Sequence, residues 1–222
     1  MNIPEPQHSD PAQLRRHESQ LPFRILFLLD TLFARVYHHL TVIQPCQIPR
    51  RGPAILAINH TSSIDPALVQ SVCRHRLITW MMAQEYTDIK GTGWFYRTLG
   101  VITVQRTGRD SGPLRTALRA LQAGKLLGVF PEGRIAPTRE MLSFQTGLAL
   151  MAIKTNVPVY PVYLDGTQRN KEMLQAVLVR NEATISFGPP VQFDRSGTSQ
   201  NQLQAATNAI RQAIQQLSLK QI

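Results

Sequence analysis

The chain has 222 residues, 43% of them hydrophobic, with 24 Lys and Arg against 14 Asp and Glu for a formal net charge of +10. That length suits one α/β domain with a sizeable core, and Cys46 and Cys73, without C-x-x-C spacing or a metal-ligand cluster nearby, imply no disulfide framework and read as buried structural thiols. The positive charge favours anionic partners or surfaces, but the basic residues are scattered, no helix-turn-helix, zinc-finger or RNP pattern occurs, and no aromatics interleave with the arginines, so nucleic acid is excluded as a partner.

In chain order, residues 1–20 are polar, carry Pro4, Pro6 and Pro11, and lack a positive segment followed by an apolar core; they read as a disordered N-terminus rather than a secretory signal. Residues 21–222 read as a single domain. Its first part, 21–45, is an amphipathic helical segment in which Ile25, Leu28, Leu29, Leu32, Val36 and Leu40 recur at helical spacing between Arg24, Asp30 and Arg35. Those charges leave no apolar run of the ~18 residues that a spanning helix needs. The stripe packs on a sheet or lies in a membrane interface, and both can hold. The core, 46–192, alternates short apolar runs with helical patterns. Strands are predicted over Ala54–Ile58, Leu77–Ala83, Gly100–Arg106, Leu126–Phe130, Val157–Leu164 and Ala183–Phe187. Helices are predicted over Asp65–Arg74, Glu85–Leu99 (interrupted around Gly91-Thr92-Gly93), Pro113–Ala123 with Gly124 as its stop, and Gly147–Thr155. Trp94, Phe95 and Tyr96 are packed core or the lining of an apolar pocket, and Arg109, Arg115 and Arg119 a solvated face or a ligand contact. A glutamine-rich helix over 197–218 closes the chain. Such alternation predicts an α/β fold, a mostly parallel sheet covered by helices on both faces, with an N-terminal amphipathic membrane-interface helix.

Polar residues gather where the predicted strands end. Asn59-His60-Thr61-Ser62-Ser63-Ile64-Asp65 follows the first core strand, with Pro66 suited to an early helical position and Ser63 or Asp65 to the cap. The short loop lets Asp65 fold back onto His60, where a carboxylate on one ring nitrogen leaves the other free to take a proton from a hydroxyl. Ser62 and Ser63 raise the possibility of a hydrolase, but neither lies in a G-x-S-x-G turn and both read as caps. Arg106 ends a second strand as a candidate anion ligand, and Pro131-Glu132-Gly133-Arg134 ends a third. Ligands of open α/β sheets bind at this edge, outside the carboxyl ends of the strands. His38, His39 and His75 are isolated and read as exposed or interfacial rather than metal ligands.

Four blocks, Asn59-His60-x4-Asp65, Gly100 to Arg106, Phe130-Pro131-Glu132-Gly133-Arg134 and Val157-Pro158-Val159-Tyr160-Pro161-Val162, occur in an order and spacing that resembles the glycerolipid acyltransferases of the 1-acylglycerol-3-phosphate acyltransferase type, over roughly residues 40 to 190. The resemblance implies His60 as general base and Asp65 as its orienting partner. It implies Asn59, Arg106, Glu132, Gly133 and Arg134 as the substrate-binding set, with Arg106 and the Glu132-Gly133-Arg134 block on a glycerophosphate. The implied reaction moves a fatty acyl group from acyl-CoA or acyl carrier protein to the free hydroxyl of 1-acylglycerol 3-phosphate (lysophosphatidate), giving phosphatidate at the cytoplasmic face of a membrane. Acyl-CoA or acyl carrier protein is then a co-substrate, and the activated thioester requires no metal and no further cofactor. The alternatives are another lysophospholipid or lipid acceptor, or a catalytically silent lipid-binding protein. Two departures stand out: the family commonly reads F-P-E-G-T-R-S where this chain has Arg134 directly after Gly133 and then Ile135, and Gln145 follows Phe144 where a basic residue is frequent.

Overall fold

The computed structural model describes residues 21–88, 96, 99–105, 111–138, 140–168 and 173–219. Among them seven strands form one sheet: β1 (Thr41–Gln44), β2 (Ala54–Ile58), β3 (Ile78–Ala83), β4 (Ile102–Val104), β5 (Leu126–Val129), β6 (Val159–Asp165) and β7 (Thr184–Phe187), in the order β1-β7-β6-β2-β5-β3-β4. Every pairing is parallel except β6 with β7. The helices are α1 (Leu21–Leu32), α2 (Asp65–Val72), α3 (Gln84–Thr87), α4 (Gly112–Gln122), α5 (Gly147–Thr155), α6 (Met173–Leu178) and α7 (Gln200–Ser218).

Strand alternation distributes the core over two faces. In β2, Ala54, Leu56 and Ile58 point to one face with Leu68 and Val69 of α2, while Ile55 and Ala57 point to the other with Leu121 of α4, Leu148 and Met151 of α5, and Ile210 and Ile214 of α7. All five β2 side chains are buried, which is why the strand is a continuous apolar run. Helix α7 begins with a capping box between Ser199 and Gln202 and runs 19 residues, its apolar positions inward and its glutamines largely outward.

The helical segment expected over 21–45 is shorter than its hydrophobic pattern. Helix α1 passes into a wider π-type turn over Phe33–Tyr37, and Thr41–Gln44 is an edge strand on β7. The correction has a tertiary cause: His38 is buried rather than exposed or interfacial, and its Nδ1 pairs with Asn181 Nδ2 at 2.7 Å, so residues far away in sequence pull the chain into the sheet. His39 and His75 are exposed as expected, as are Arg115 and Arg119. Of the described residues in the expected 85–99 helical stretch, those up to Thr87 and Tyr96 are helical, whereas Asp88 and Leu99 are not. The 100–106 strand is observed as Ile102–Val104. Residues 1–20, Trp94, Phe95, Arg106 and Arg109 lie outside the described residues.

At the centre of β5, Gly128 leaves room for the Trp80 ring of β3: a Cβ there would lie 2.5 Å from Trp80 Cε3 and 2.8 Å from Ile78 Cγ2. Gly128→Ala therefore overpacks a buried site and is expected to lower unfolding free energy by about 1–3 kcal/mol in urea titration, with quenched Trp80 packing visible in near-UV circular dichroism.

Candidate active site

Strand β2 ends at Ile58, and the loop to α2 is shaped by one carboxylate. Asp65 is fully buried, and its Oδ2 accepts from the backbone N–H of Thr61 at 2.7 Å and of Ser62 at 2.8 Å. The Thr61 hydroxyl donates to Oδ1 at 3.1 Å and contacts the Thr167 hydroxyl at 2.6 Å, tying the loop to the end of β6. Asp65 Oδ2 also lies 3.0 Å from His60 Nδ1. The geometry assigns the Nδ1–H tautomer to neutral His60 and leaves Nε2 as the basic nitrogen. Neither Ser63 nor Asp65 caps α2 as expected. The cap position is Ile64, without a side-chain bond, and the Asp65 carboxylate turns back onto its own loop.

Two further braces set the loop. Glu132, buried after β5, accepts from His60 N with Oε1 and from Leu142 N with Oε2, both at 2.9 Å. Asn59, also buried, grips β6 with both amide ends: Nδ2 donates to Leu164 O and Oδ1 accepts from Leu164 N, each at 2.8 Å. Both residues are expected from the sequence to bind substrate; the structure places the Asn59 amide on Leu164 and the Glu132 carboxylate on the His60 and Leu142 N–H groups, beside the His60 loop. The His60 ring, 16% exposed, stacks on Phe130 with centroids 4.0 Å apart, and Phe130 stacks on Trp80 at 5.4 Å. A cavity of about 210 Å³ opens beside the imidazole, with Met82, Leu148 and Met151 in its apolar wall and Gly133, Arg134 and Gln145 as polar lining. Gly133 needs its left-handed φ of 71°, and the Gln145 amide lies where a Cβ would project. Exposed Arg134 is thus at the cavity with His60, as expected, whereas Asn59 and Glu132 lie behind it.

Ser62 and Ser63 carry buried hydroxyls without a partner, and neither bonds to His60, so this arrangement activates no serine nucleophile. Among the described residues no group of three or more His, Cys, Asp and Glu side chains is placed to hold a metal ion.

The acyltransferase family model matches residues 39–165, which carry the His60–Asp65 pair, Glu132 and the strands that present them. The chain belongs to the acyltransferase family. A 1-acyl-sn-glycerol-3-phosphate acyltransferase of Bacillus subtilis is 23% identical over 175 residues, covering 78% of this chain and 85% of that protein. A taffazin of Dictyostelium discoideum is 28% identical over 145 residues, which are 59% of this chain; the chain thus spans about half, 51%, of that relative. The crystal structure of the 1-acyl-sn-glycerophosphate acyltransferase PlsC from Thermotoga maritima shares the fold, with a TM-score of 0.67, 22% identity, and coverage of 93% of this chain and 88% of that one.

In this acyltransferase the aromatic stack was missed by motif reading, although Phe130 stands directly before the Pro131-Glu132-Gly133-Arg134 block. Also missed was a second cavity of about 330 Å³, which shares Ser63, Pro66, Trp80 and Met82 with the first and is walled by Phe27, Asp30 and Phe33 of the α1 region and by Tyr96. Tyr96 is therefore pocket lining, one of its two expected placements. Among the described residues Asp30 is the only charged side chain on that wall and its buried Oδ2 has no partner, and burial raises its pKa from 3.8 to about 7. Between those values the unfolded chain releases the proton that the folded chain retains, so Asp30 costs stability progressively as pH rises from about 4 to 7 and a constant amount above that. Asp30→Asn should match the wild-type melting temperature near pH 4 and exceed it increasingly up to pH 7 in a thermal denaturation series; parallel curves at all pH values would refute the assignment.

Proposed function

We propose that the protein transfers a fatty acyl group from acyl-CoA or acyl carrier protein to the free hydroxyl of 1-acylglycerol 3-phosphate, giving phosphatidate for phospholipid synthesis. The observation that carries this reading is the His60–Asp65 pair at the mouth of an apolar cavity, with Arg134 among its lining. The named relatives of Bacillus subtilis and Thermotoga maritima support the acceptor class.

The acceptor hydroxyl gives its proton to His60 Nε2 as its oxygen attacks the thioester carbonyl carbon. The carbon–sulfur bond then breaks, and the leaving thiolate takes the proton from the imidazolium. Asp65 holds the ring and stabilises its charged form, while Glu132 and Asn59 keep the loop at the strand edge. Arg134 pairs with the acceptor phosphate through its planar guanidinium, and Arg106 is its expected companion. A second reading, an acceptor without a phosphate monoester, is favoured by neutral Gln145 in the cavity lining and by Ile135 after Arg134.

The enzyme works on a membrane surface. Ile25, Leu28, Leu29, Leu32 and Val36 on the outer side of α1 and its continuation are 47–66% exposed, and Leu178, joined to Tyr37 through a 2.6 Å hydrogen bond to its carbonyl, extends this apolar face. Arg24, Arg74 and His75 flank it in one groove, a charge pattern suited to anionic headgroups. Among the described residues no helix is long and apolar enough to cross a membrane.

Purified protein with long-chain acyl-CoA should release thiol only when lysophosphatidate is present, and His60→Ala should lose at least ~10²-fold in rate. Arg134→Ala should raise the acceptor KM with little change in kcat. Thiol release without acceptor would point to a hydrolase, and none with any lysolipid or either donor to a binding protein. In vesicle co-sedimentation, Leu28→Asp should abolish binding, whereas Arg24→Glu with Arg74→Glu should remove the preference for anionic over neutral vesicles. Equal binding by all three proteins would overturn the membrane-face assignment.

A further inference from the structure

Away from the site, the two cysteines meet. Cys46 lies half-buried in the connector from β1 to β2, Cys73 is fully buried at the end of α2, and their sulfurs are 3.4 Å apart. The contact is built from both sides. The Cys73 N–H bonds to Val69 O at 3.1 Å, and its carbonyl accepts from Arg76 N at 3.1 Å and Gln70 Nε2 at 3.3 Å. From the same turn the Arg76 guanidinium reaches Pro49 O at 3.1 Å, in the connector that carries Cys46, and Gly124 O at 3.0 Å. Ile48, two residues after Cys46, is buried in the core beneath that connector. The contact with the Cys73 thiol brings the Cys46 thiol down to about 7, while that same contact and burial push Cys73 up. Cys46 is thus the sulfur a small reagent reaches first, and Cys73 lies behind it.

We propose that Cys46 and Cys73 form a dithiol that reacts with small-molecule disulfides, Cys46 as the attacking sulfur and Cys73 as the resolving sulfur, to give a crosslink between the β1–β2 connector and the helix that starts at Asp65. The Cys46 thiolate attacks one sulfur of the small disulfide, breaks its S–S bond and releases one small thiol. Cys73 then gives up its proton and attacks the Cys46 sulfur of the mixed disulfide, releasing the second small thiol. The protein loses two electrons and two protons, and the small disulfide gains them, so the exchange balances without a further oxidant. The bond would close a loop across a sequence separation of 27, long enough for the crosslink to restrict the unfolded chain and favour the folded one. Neither cysteine lines the cavity beside His60, and the thiol chemistry stands independently of the proposed reaction.

The test treats the full-length protein with excess oxidised glutathione, then denatures and alkylates it for intact-mass analysis. The expected product has lost two hydrogens, takes up no alkylating agent, melts several degrees higher than the reduced protein, and reverts with dithiothreitol. Cys73→Ala should stop at one glutathione held on Cys46. Cys46→Ser, altered at the half-exposed position and so the safer variant for folding, should neither crosslink nor gain the thermal shift. The proposal is overturned if the wild type takes no oxidation, or if it accumulates a stable mixed disulfide on Cys46 while Cys73 still alkylates after unfolding.

Discussion

The buried Asp65 carboxylate is the constraint on which the site depends. A charge taken out of water is tolerated only where hydrogen bonds replace its hydration, and here the donors come from the adjoining loop: two backbone N–H groups, the Thr61 hydroxyl and the His60 ring. Satisfying the carboxylate and orienting the imidazole are therefore one structural event. The Thr61 contact with Thr167 carries the same network to the end of β6, and the Glu132 bond to His60 N carries it to the end of β5. Three parallel strands converge on one imidazole, so small loop motions that would blur its position must first expose or unpair a buried charge.

Much of this was legible in the sequence because the central strands are buried on both faces. Ala54–Ile58, Leu126–Val129 and Val157–Leu164 are uninterrupted apolar runs, and a polar residue directly after such a run has to stand at a strand end. The roles of those polar residues were harder to read. Asn59 and Glu132 sit in the same motifs as His60 and Arg134, and nothing local distinguishes a side chain that faces a ligand from one that faces a backbone amide. The distinction lies in Leu164 and Leu142, backbone partners supplied by other segments. Edge strand β1 was hidden for the same reason. Thr41–Gln44 continues the helical hydrophobic pattern of the preceding residues, and only its pairing with β7, aided by the His38–Asn181 bond, makes it a strand.

The amphipathic segment shows why periodicity alone left its partner open. An apolar stripe wider than the contact available on the protein has to expose its remainder. Phe27 and Ala34 turn inward and are buried, while Ile25, Leu28, Leu29, Leu32 and Val36 remain outside. The packed reading of the stripe describes its inner side, which reaches the site: Phe27, Asp30 and Phe33 wall a cavity that shares Ser63, Pro66, Trp80 and Met82 with the cavity beside His60.

That shared wall couples two events that a sequence treats as separate. Anything docked on the exposed outer side of α1 would act on the same helix whose inner side walls the cavity adjoining the one beside the imidazole. The coupling is geometric, because any tilt of α1 that deepens its apolar contact also moves Phe27 and Phe33 relative to Trp80. It is also electrostatic, since Asp30 is held without a partner on that wall and its ionisation opposes the docked position of the helix. The cavity that adjoins the one beside His60 is completed by the helix whose outer side is left apolar and exposed, so the placement of α1 and the shape of the site cannot be set independently.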